Sequence, residues 1–341
     1  MKLKKTIILS VFVVALLLAG CAQGNDKPKS SIKQTFIMNT LVRVKVYGPK
    51  PDEVIEEAFD ELDRIENLMS ANITDSEVST INDNAGLKPV KVGKDTFTVI
   101  KLAKEYAAKT DGLFDPSIGP LVDLWGIGTK QRKIPTKEEI KEVLTLVDYK
   151  KIILDQEKQT VYLAQKGMKI DVGGIAKGYA ADLVKDIFNK HGIKSAFIDI
   201  GGNIMVHGQK PDDTDWKVGI QDPRSARNDL TAVFEVADQT VVTSGDYERY
   251  FEEDGIRYHH ILNPKTGYPA RTGLMSATAI GDSSFHADAL STSIYLLGRE
   301  KGMELAQEMG YEAVVIIEEK KVYPTEELEG NIQITNEEYS L

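Results

Sequence analysis

The stretch Asp171-Val-Gly-Gly-Ile-Ala-Lys-Gly-Tyr-Ala180 sets clustered glycines and a lysine at an apparent helix start. Backbone N–H groups at a helix start attract anions, so these are the ingredients of a phosphate site. The spacing fits neither familiar phosphate loop. Lys177 is followed by Gly178, so G-x-x-x-x-G-K-[ST] is absent. Gly173, Gly174 and Gly178 do not read G-x-G-x-x-G either. Two readings stay open from the residues alone. In one, the helix start and Lys177 hold an anion. In the other, Asp171 is an N-cap and the glycines make a tight turn.

Outward from this stretch, helical periodicity is clear in Asp52 to Met69, where Val54, Ile55, Ala58, Phe59, Leu62, Ile65 and Met69 share one face. Asp95 to Lys109 reads as a second helix, stopped near Gly112. Thr136-Lys-Glu-Glu139 is a capping box that opens a third helix through Val147. A fourth runs from about Gly174 to Lys190, and His286 to Leu297 and Arg299 to Met309 form a final pair. Strand-like runs are Leu41 to Tyr47, Val161 to Leu163, Ser195 to Ile200, Trp216 to Ile220, Thr231 to Val236, Ser276 to Ile280 and Ala313 to Ile317. These elements alternate irregularly, with hairpin-like pairs in the second half. That pattern predicts an α+β fold with a largely antiparallel sheet flanked by helices. The acidic end, Glu326 to Leu341, reads as a solvated tail or an edge segment.

The N-terminus stands apart from the fold. Lys2, Lys4 and Lys5 precede an almost continuous apolar run, Ile7 to Ala19. A spanning helix takes about 20 residues; this run is shorter and matches a signal h-region. It ends Leu18-Ala19-Gly20-Cys21, the pattern of a lipoprotein signal over residues 1–20. Cys21 is the only cysteine of 341 residues, as expected for a lipid-modified first residue on an exported chain without disulfides. Residues 21–32 read as a flexible tether, and 33–341 as the folded domain. At roughly 3.3–3.6 Å per residue, about ten residues reach about 35 Å, which keeps the body close to the membrane surface. Formal net charge is −10. An acidic surface argues against a nucleic-acid partner, and an anionic ligand then needs local help from a metal, a lysine or helix N-termini.

Two further stretches are too polar and glycine-rich for a core. Thr110 to Gly126 packs turn formers around Leu113, Phe114 and Asp115, and reads as either a site or a long surface loop. The other runs Thr243-Ser-Gly-Asp246, His259-His-Ile-Leu-Asn-Pro-Lys-Thr-Gly267 and His286-Ala-Asp-Ala-Leu-Ser-Thr292. Asp288 and Thr292 are four apart, on one face of a helix. Carboxylate plus hydroxyl oxygens suit a hard cation such as Mg²⁺, whereas nothing has zinc-ligand spacing. Asp288 also reads as a helix N-terminal acid facing the dipole. Of the adjacent His259 and His260, one reads as packed and the other as exposed.

Taken in order, these motifs resemble the ApbE family, the FAD:protein FMN transferases. The resemblance covers about Thr35 to Glu318. It runs through Met38-Asn-Thr40, Met69-Ser70, Asp111-Gly-Leu-Phe-Asp-Pro, Asp171-Val-Gly-Gly-Ile-Ala-Lys-Gly178, Asp199-Ile-Gly-Gly-Asn203, Thr243-Ser-Gly-Asp-Tyr247, His260-Ile-Leu-Asn-Pro-Lys-Thr-Gly267 and Asp288-Ala-Leu-Ser-Thr292. It implies a T-fold-related α+β fold and an enzyme that binds FAD and Mg²⁺. Such an enzyme cuts the diphosphate, places FMN on a Thr or Ser hydroxyl of a surface-exposed acceptor protein, and releases AMP. By position, the resemblance assigns Asp171 and Lys177 to FAD, and Met38, Leu113, Phe114 and Asp115 to the flavin and adenosine sites. It gives the metal to the Gly174 carbonyl, Asp288 and Thr292, and places His260 at the reacting phosphate. Either Asp288 or His260 is the base; a metal-bound carboxylate is the poorer one. Two other activities fit the same residues: an Mg²⁺-dependent FAD pyrophosphatase, with water as nucleophile, and a non-catalytic flavin-binding surface lipoprotein.

The chain departs from the family pattern at one position. Many members place a flavin-stacking tyrosine where this sequence has Asn72. Stacking is worth roughly 1–3 kcal/mol, so FAD is expected to bind about ten- to a hundredfold more weakly unless Phe36 or Phe114 covers the ring.

Replacing Cys21 with serine is expected to release the protein from membranes in cells while leaving catalysis intact. Fractionation checks it: membrane retention of C21S with its signal cleaved would refute lipid anchoring.

Overall fold

Strand pairing builds the body around one large sheet. The computed structural model describes residues 29–225 and 229–341; the segment read as a signal and Cys21 lie outside them. Strands β1 (Ser30–Ile37) and β2 (Thr40–Tyr47) form a hairpin in which Phe36 opposes Leu41. Both turn residues, Met38 and Asn39, have positive φ, 54° and 56°. That backbone matches the right-handed twist of the strands it joins. Strand β1 begins within the segment read as the tether. Val42, Val44 and Val46 are fully buried on β2 while Leu41 and Arg43 are exposed, the period of two expected of a strand.

The chain continues through α1 (Pro51–Met69), α2 (Glu77–Asp83), β3 (Val90–Lys91), α3 (Lys94–Lys109), α4 (Gly119–Trp125), α5 (Lys137–Leu144), β4 (Ile152–Asp155), β5 (Thr160–Leu163) and α6 (Ala176–Lys190). Strands β6 (Ser195–Ile200), β7 (Asn203–His207), β8 (Trp216–Gln221), β9 (Leu230–Val236), β10 (Thr240–Gly245), β11 (Tyr250–Glu253), β12 (Ile256–His259) and β13 (Leu274–Gly281) follow. Helices α7 (Ser284–Leu297) and α8 (Arg299–Glu308) precede β14 (Glu312–Ile317), β15 (Val322–Pro324) and β16 (Gln333–Ile334). The large sheet has the order β1-β2-β6-β7-β10-β13-β14-β15, and each of its pairs is antiparallel.

One face of this sheet carries α1, α6 and α7 over a core that includes Val44, Ile55, Val184, Ala279 and Leu290. The other face meets the small sheet β16-β9-β8, with Val206, Ile280 and Ile316 against Val218 and Phe234. Strand β13 is buried along its whole length because both faces are covered. The α+β, largely antiparallel expectation therefore holds. The acidic end is an edge segment rather than a tail: β16 pairs with β9, and Leu328, Ile332 and Tyr339 are buried.

The capping box at Thr136 and Glu139 is present as read, although α5 stops at Leu144 and not at Val147. Thr110 to Gly126 is not a surface loop. It contains α4, its Trp125 is fully buried, and Phe114 is 7% exposed. Helix α7 starts two residues earlier than its periodicity suggests because Ser283 caps it.

Helices α6 and α7 touch at Gly178. A Cβ there would stand 2.1 Å from the Ser284 carbonyl oxygen and 2.7 Å from Cβ of Asp288. Only glycine permits that approach. Gly178→Ala is expected to cost about 1–3 kcal/mol of overpacking, read as a drop in Tm by thermal melting. Gly330→Ala, where nothing lies within 4 Å, is the control and should leave Tm unchanged.

Candidate active site

The α6–α7 contact fixes the position of Asp288. Its Oδ2 accepts a hydrogen bond from the Gly178 N–H at 2.9 Å, and Lys177 Nζ lies 3.7 Å from Oδ1. The residue is 3% exposed. It is not the acid that serves the α7 dipole. Asp182, from α6, does that: it accepts from the backbone N–H groups of Ser284 and Phe285 and from Ser283 Oγ. Asp288 lies beyond the first turn, with its Oδ1 facing the Lys177 ammonium.

Thr292 stands one turn further along α7. Its Oγ1 lies 3.0 Å from Ser244 Oγ, which also meets Ser291 Oγ at 2.9 Å. Ser244 comes from β10, so three hydroxyls gather where the sheet meets the helix. Gly174 is beside them: a Cβ added to it would lie 3.7 Å from Thr292 Oγ1. Among the described residues there is no group of three or more His, Cys, Asp or Glu side chains able to hold a metal. The donor set is one carboxylate with hydroxyl and backbone oxygens. It fits a hard cation such as Mg²⁺ that keeps part of its water shell.

Asp171 is not an N-cap. The residue capping α6 is Ile175, without a side-chain hydrogen bond. Asp171 instead accepts from the Gly173 N–H at 2.7 Å and closes a turn ahead of the helix. Lys177 Nζ donates to the Gly173 carbonyl at 3.2 Å, folding back over the turn toward Asp288.

These groups line one cavity of about 450 Å³. Of the residues assigned from the sequence, Leu113, Phe114, Asp115, Asp171, Gly174, Lys177, His260, Asp288 and Thr292 line it. Met38 and Asn72 are not among its lining residues. The hairpin contributes Phe36, Asn39, Thr40 and Leu41 instead, and the Met38 N–H donates to Glu66 Oε2 at 2.7 Å. Asn72 is exposed, and its N–H donates to Ser70 Oγ at 3.3 Å. Asp115 is tied into the wall. It accepts from the N–H and hydroxyl of Ser117 and from the Tyr149 N–H, while burial pushes its carboxyl above the usual range.

The two histidines differ in role. His259 is 1% exposed and its Nε2 meets the Ala270 carbonyl at 2.9 Å. The buried Nδ1 of each histidine has no hydrogen-bond partner, and only His260 lines the cavity. Burial pushes the His259 imidazole down to about 4. Burial, then the charge of Arg249, pushes His260 down to about 3, with smaller contributions from His259 and Lys177.

Ser244 and Arg249 carry no role in the sequence reading, and Phe36 enters it only as an alternative cover for the flavin ring; all three line the cavity. Ser244 lay inside the quoted Thr243-Ser-Gly-Asp246 motif without a role. Arg249 and Phe36 had no motif signal, because only the packing of a loop and of a hairpin brings them to the cavity.

The profile of the ApbE family matches residues 38–315. The chain belongs to the ApbE family. It is 35% identical to the FAD:protein FMN transferase of Treponema pallidum (strain Nichols), over 98% of this chain and 97% of that one. The FAD:protein FMN transferase of Klebsiella pneumoniae (strain 342) is 36% identical over 84% of this chain and 89% of its own. Among solved structures, the ApbE protein of Thermotoga maritima superposes with a TM-score of 0.83 at 36% identity, covering 89% of this chain and 99% of that one. The flavin transferase ApbE of Vibrio cholerae gives 0.80 at 28% identity, with the same coverage. The ApbE architecture expected from the resemblance is thus the one observed.

Both histidines set a pH dependence. Their native imidazoles stay neutral down to about 4 and about 3, whereas in the unfolded chain they titrate near 6.5. In that window the unfolded chain binds more protons, so stability rises with pH. The protein should therefore lose Tm progressively as pH falls from 6.5 toward 4. By NMR, the His260 ring should not titrate between pH 5 and 8. A midpoint near 6.5 would contradict the burial.

Proposed function

We propose that the protein is an FAD:protein FMN transferase, working on a Thr or Ser hydroxyl of acceptor proteins. The observation that carries this is the convergence in one cavity of the Asp288 carboxylate, the Thr292 and Ser244 hydroxyls, Lys177 and a histidine kept neutral by burial. The activity named for the relatives of Treponema and Klebsiella supports it. Asp288, Thr292 and the Gly174 carbonyl would hold Mg²⁺, with Ser244 beside them. A bound Mg²⁺ supplies charge neutralisation and orientation of the diphosphate.

The chain's own groups divide the remaining work. Lys177 stands over Asp288 and stabilises charge on the phosphate oxygens. The acceptor hydroxyl is a weak nucleophile and needs a base. His260 suits that role better than Asp288, which accepts from the Gly178 N–H and would hold the cation. Burial is the main cause of the depressed His260 pKa, and the charges of Arg249 and, less, Lys177 add to it. A diphosphate in the cavity would offset the charge part of that depression and make the imidazole a stronger base. The hydroxyl oxygen attacks the FMN phosphorus, the P–O bond to the adenylate breaks, and AMP departs with that oxygen. The proton passes to His260.

Lipidation at Cys21 would hold this site near an extracytoplasmic membrane surface, where acceptors exposed on the same face are within reach. Among the described residues, no helix is long and apolar enough to cross a membrane.

The decisive assay incubates the protein with FAD, Mg²⁺ and a candidate acceptor. FMN covalently bound to the acceptor, with free AMP, is expected. FMN and AMP in solution alone would identify a pyrophosphatase, and binding without turnover a flavin-binding module. Asp288→Ala should abolish transfer while far-UV circular dichroism stays near wild type; transfer at the wild-type rate would refute the metal assignment.

A further inference from the structure

Two phenyl rings line the cavity, Phe36 and Phe114, and only one has a free face. Phe114 is 7% exposed and packs on Tyr106 with ring centroids 6.0 Å apart. Its edge atoms stand 3.5 and 4.0 Å from where a Cβ on Gly174 would lie. It belongs to the wall. Phe36 is 68% exposed, near the end of β1, next to the turn. Directly opposite on β2 is Leu41, 40% exposed and also lining the cavity. Side chains paired across two strands point to the same face, with Cβ atoms about 4.5–5.5 Å apart. Phe36 and Leu41 thus make one apolar platform at the lip of a cavity whose other walls carry Asp171, Lys177, His260 and Asp288.

We propose that Phe36, with Leu41 beside it, is the platform on which the isoalloxazine ring of FAD stacks in this chain. The inference rests on FAD being the substrate. Asn72 offers no ring and does not line the cavity, so the role expected of an aromatic at that position passes to the hairpin. A platform two side chains wide suits a three-ring system better than the smaller adenine. Stacking on an aromatic side chain needs only a π face and an exposed ring opposite it. FAD would cover apolar surface that water now reaches.

The test compares wild type and Phe36→Ala for binding of FAD, of FMN and of ADP, which lacks the flavin. Flavin fluorescence quenching reads the first two, and calorimetry the third. The expected result is a Kd raised about ten- to a hundredfold for FAD and FMN, weaker quenching, and an unchanged Kd for ADP. Phe36→Tyr should keep wild-type values. Because the side chain is largely exposed, Phe36→Ala should keep its Tm. Equal FAD and FMN binding by both proteins would overturn the proposal, including the case where only the KM for the acceptor rises. So would a loss confined to ADP, which would make the platform an adenine site, or an equal loss for all three ligands, which would make Phe36 a hairpin support. Failure of wild type to bind FAD at all would instead overturn the substrate reading beneath it.

Discussion

Everything at the site depends on how closely α6 and α7 approach at Gly178. With no side chain there, the backbone of α6 comes against Ser284 and Asp288, and its Gly178 N–H reaches the Asp288 carboxylate. That one bond orients a buried acid that would otherwise be costly to bury. It also places Lys177, the preceding residue, on the cavity side with Asp288. Thr292 follows one turn later on the same face of α7, and β10 supplies Ser244 from beneath. A larger residue at 178 would disturb the carboxylate, the lysine and the hydroxyl cluster together.

The acidity of the chain makes this local arrangement necessary. A protein of net charge −10 repels polyphosphates at long range, so attraction has to come from groups at the cavity itself. Lys177 and Arg249 line it, and both act on the His260 imidazole, which burial already keeps neutral. The Asp288 carboxylate offsets part of that positive charge, and a divalent cation on it would reverse its sign.

The large sheet supports this site by being covered on both faces. Helices α1, α6 and α7 lie on one side and the small sheet on the other, so β10 and β13 are held firmly where the hydroxyls are presented. The β1–β2 hairpin is different. It is the edge of the sheet, its outer face is open, and its turn end borders the cavity. A rigid half carrying the charged groups and an edge ribbon carrying an apolar lip divide the cavity between them.

The sequence by itself determined the elements that carry their own signal. Periodicity gave α1, α3, α6, α7 and α8, alternation gave the central strands, and the Thr136–Glu139 capping box opened α5. The i, i+4 spacing put Asp288 and Thr292 on one helical face, because that follows from helix geometry alone. It left open whether Asp171 and Asp288 were capping acids, because a cap and a ligand site use the same residue types at helix starts. Only the tertiary structure decided that. Asp182 reaches across from α6 to serve the α7 dipole, Ile175 occupies the α6 cap, and both aspartates are released for the cavity. Ser244 and Arg249 were illegible for the same reason, and Phe36 was legible only as one of two candidate rings. Each reaches the site through a contact between distant segments, and such proximity is a property of packing that no local pattern in the chain records.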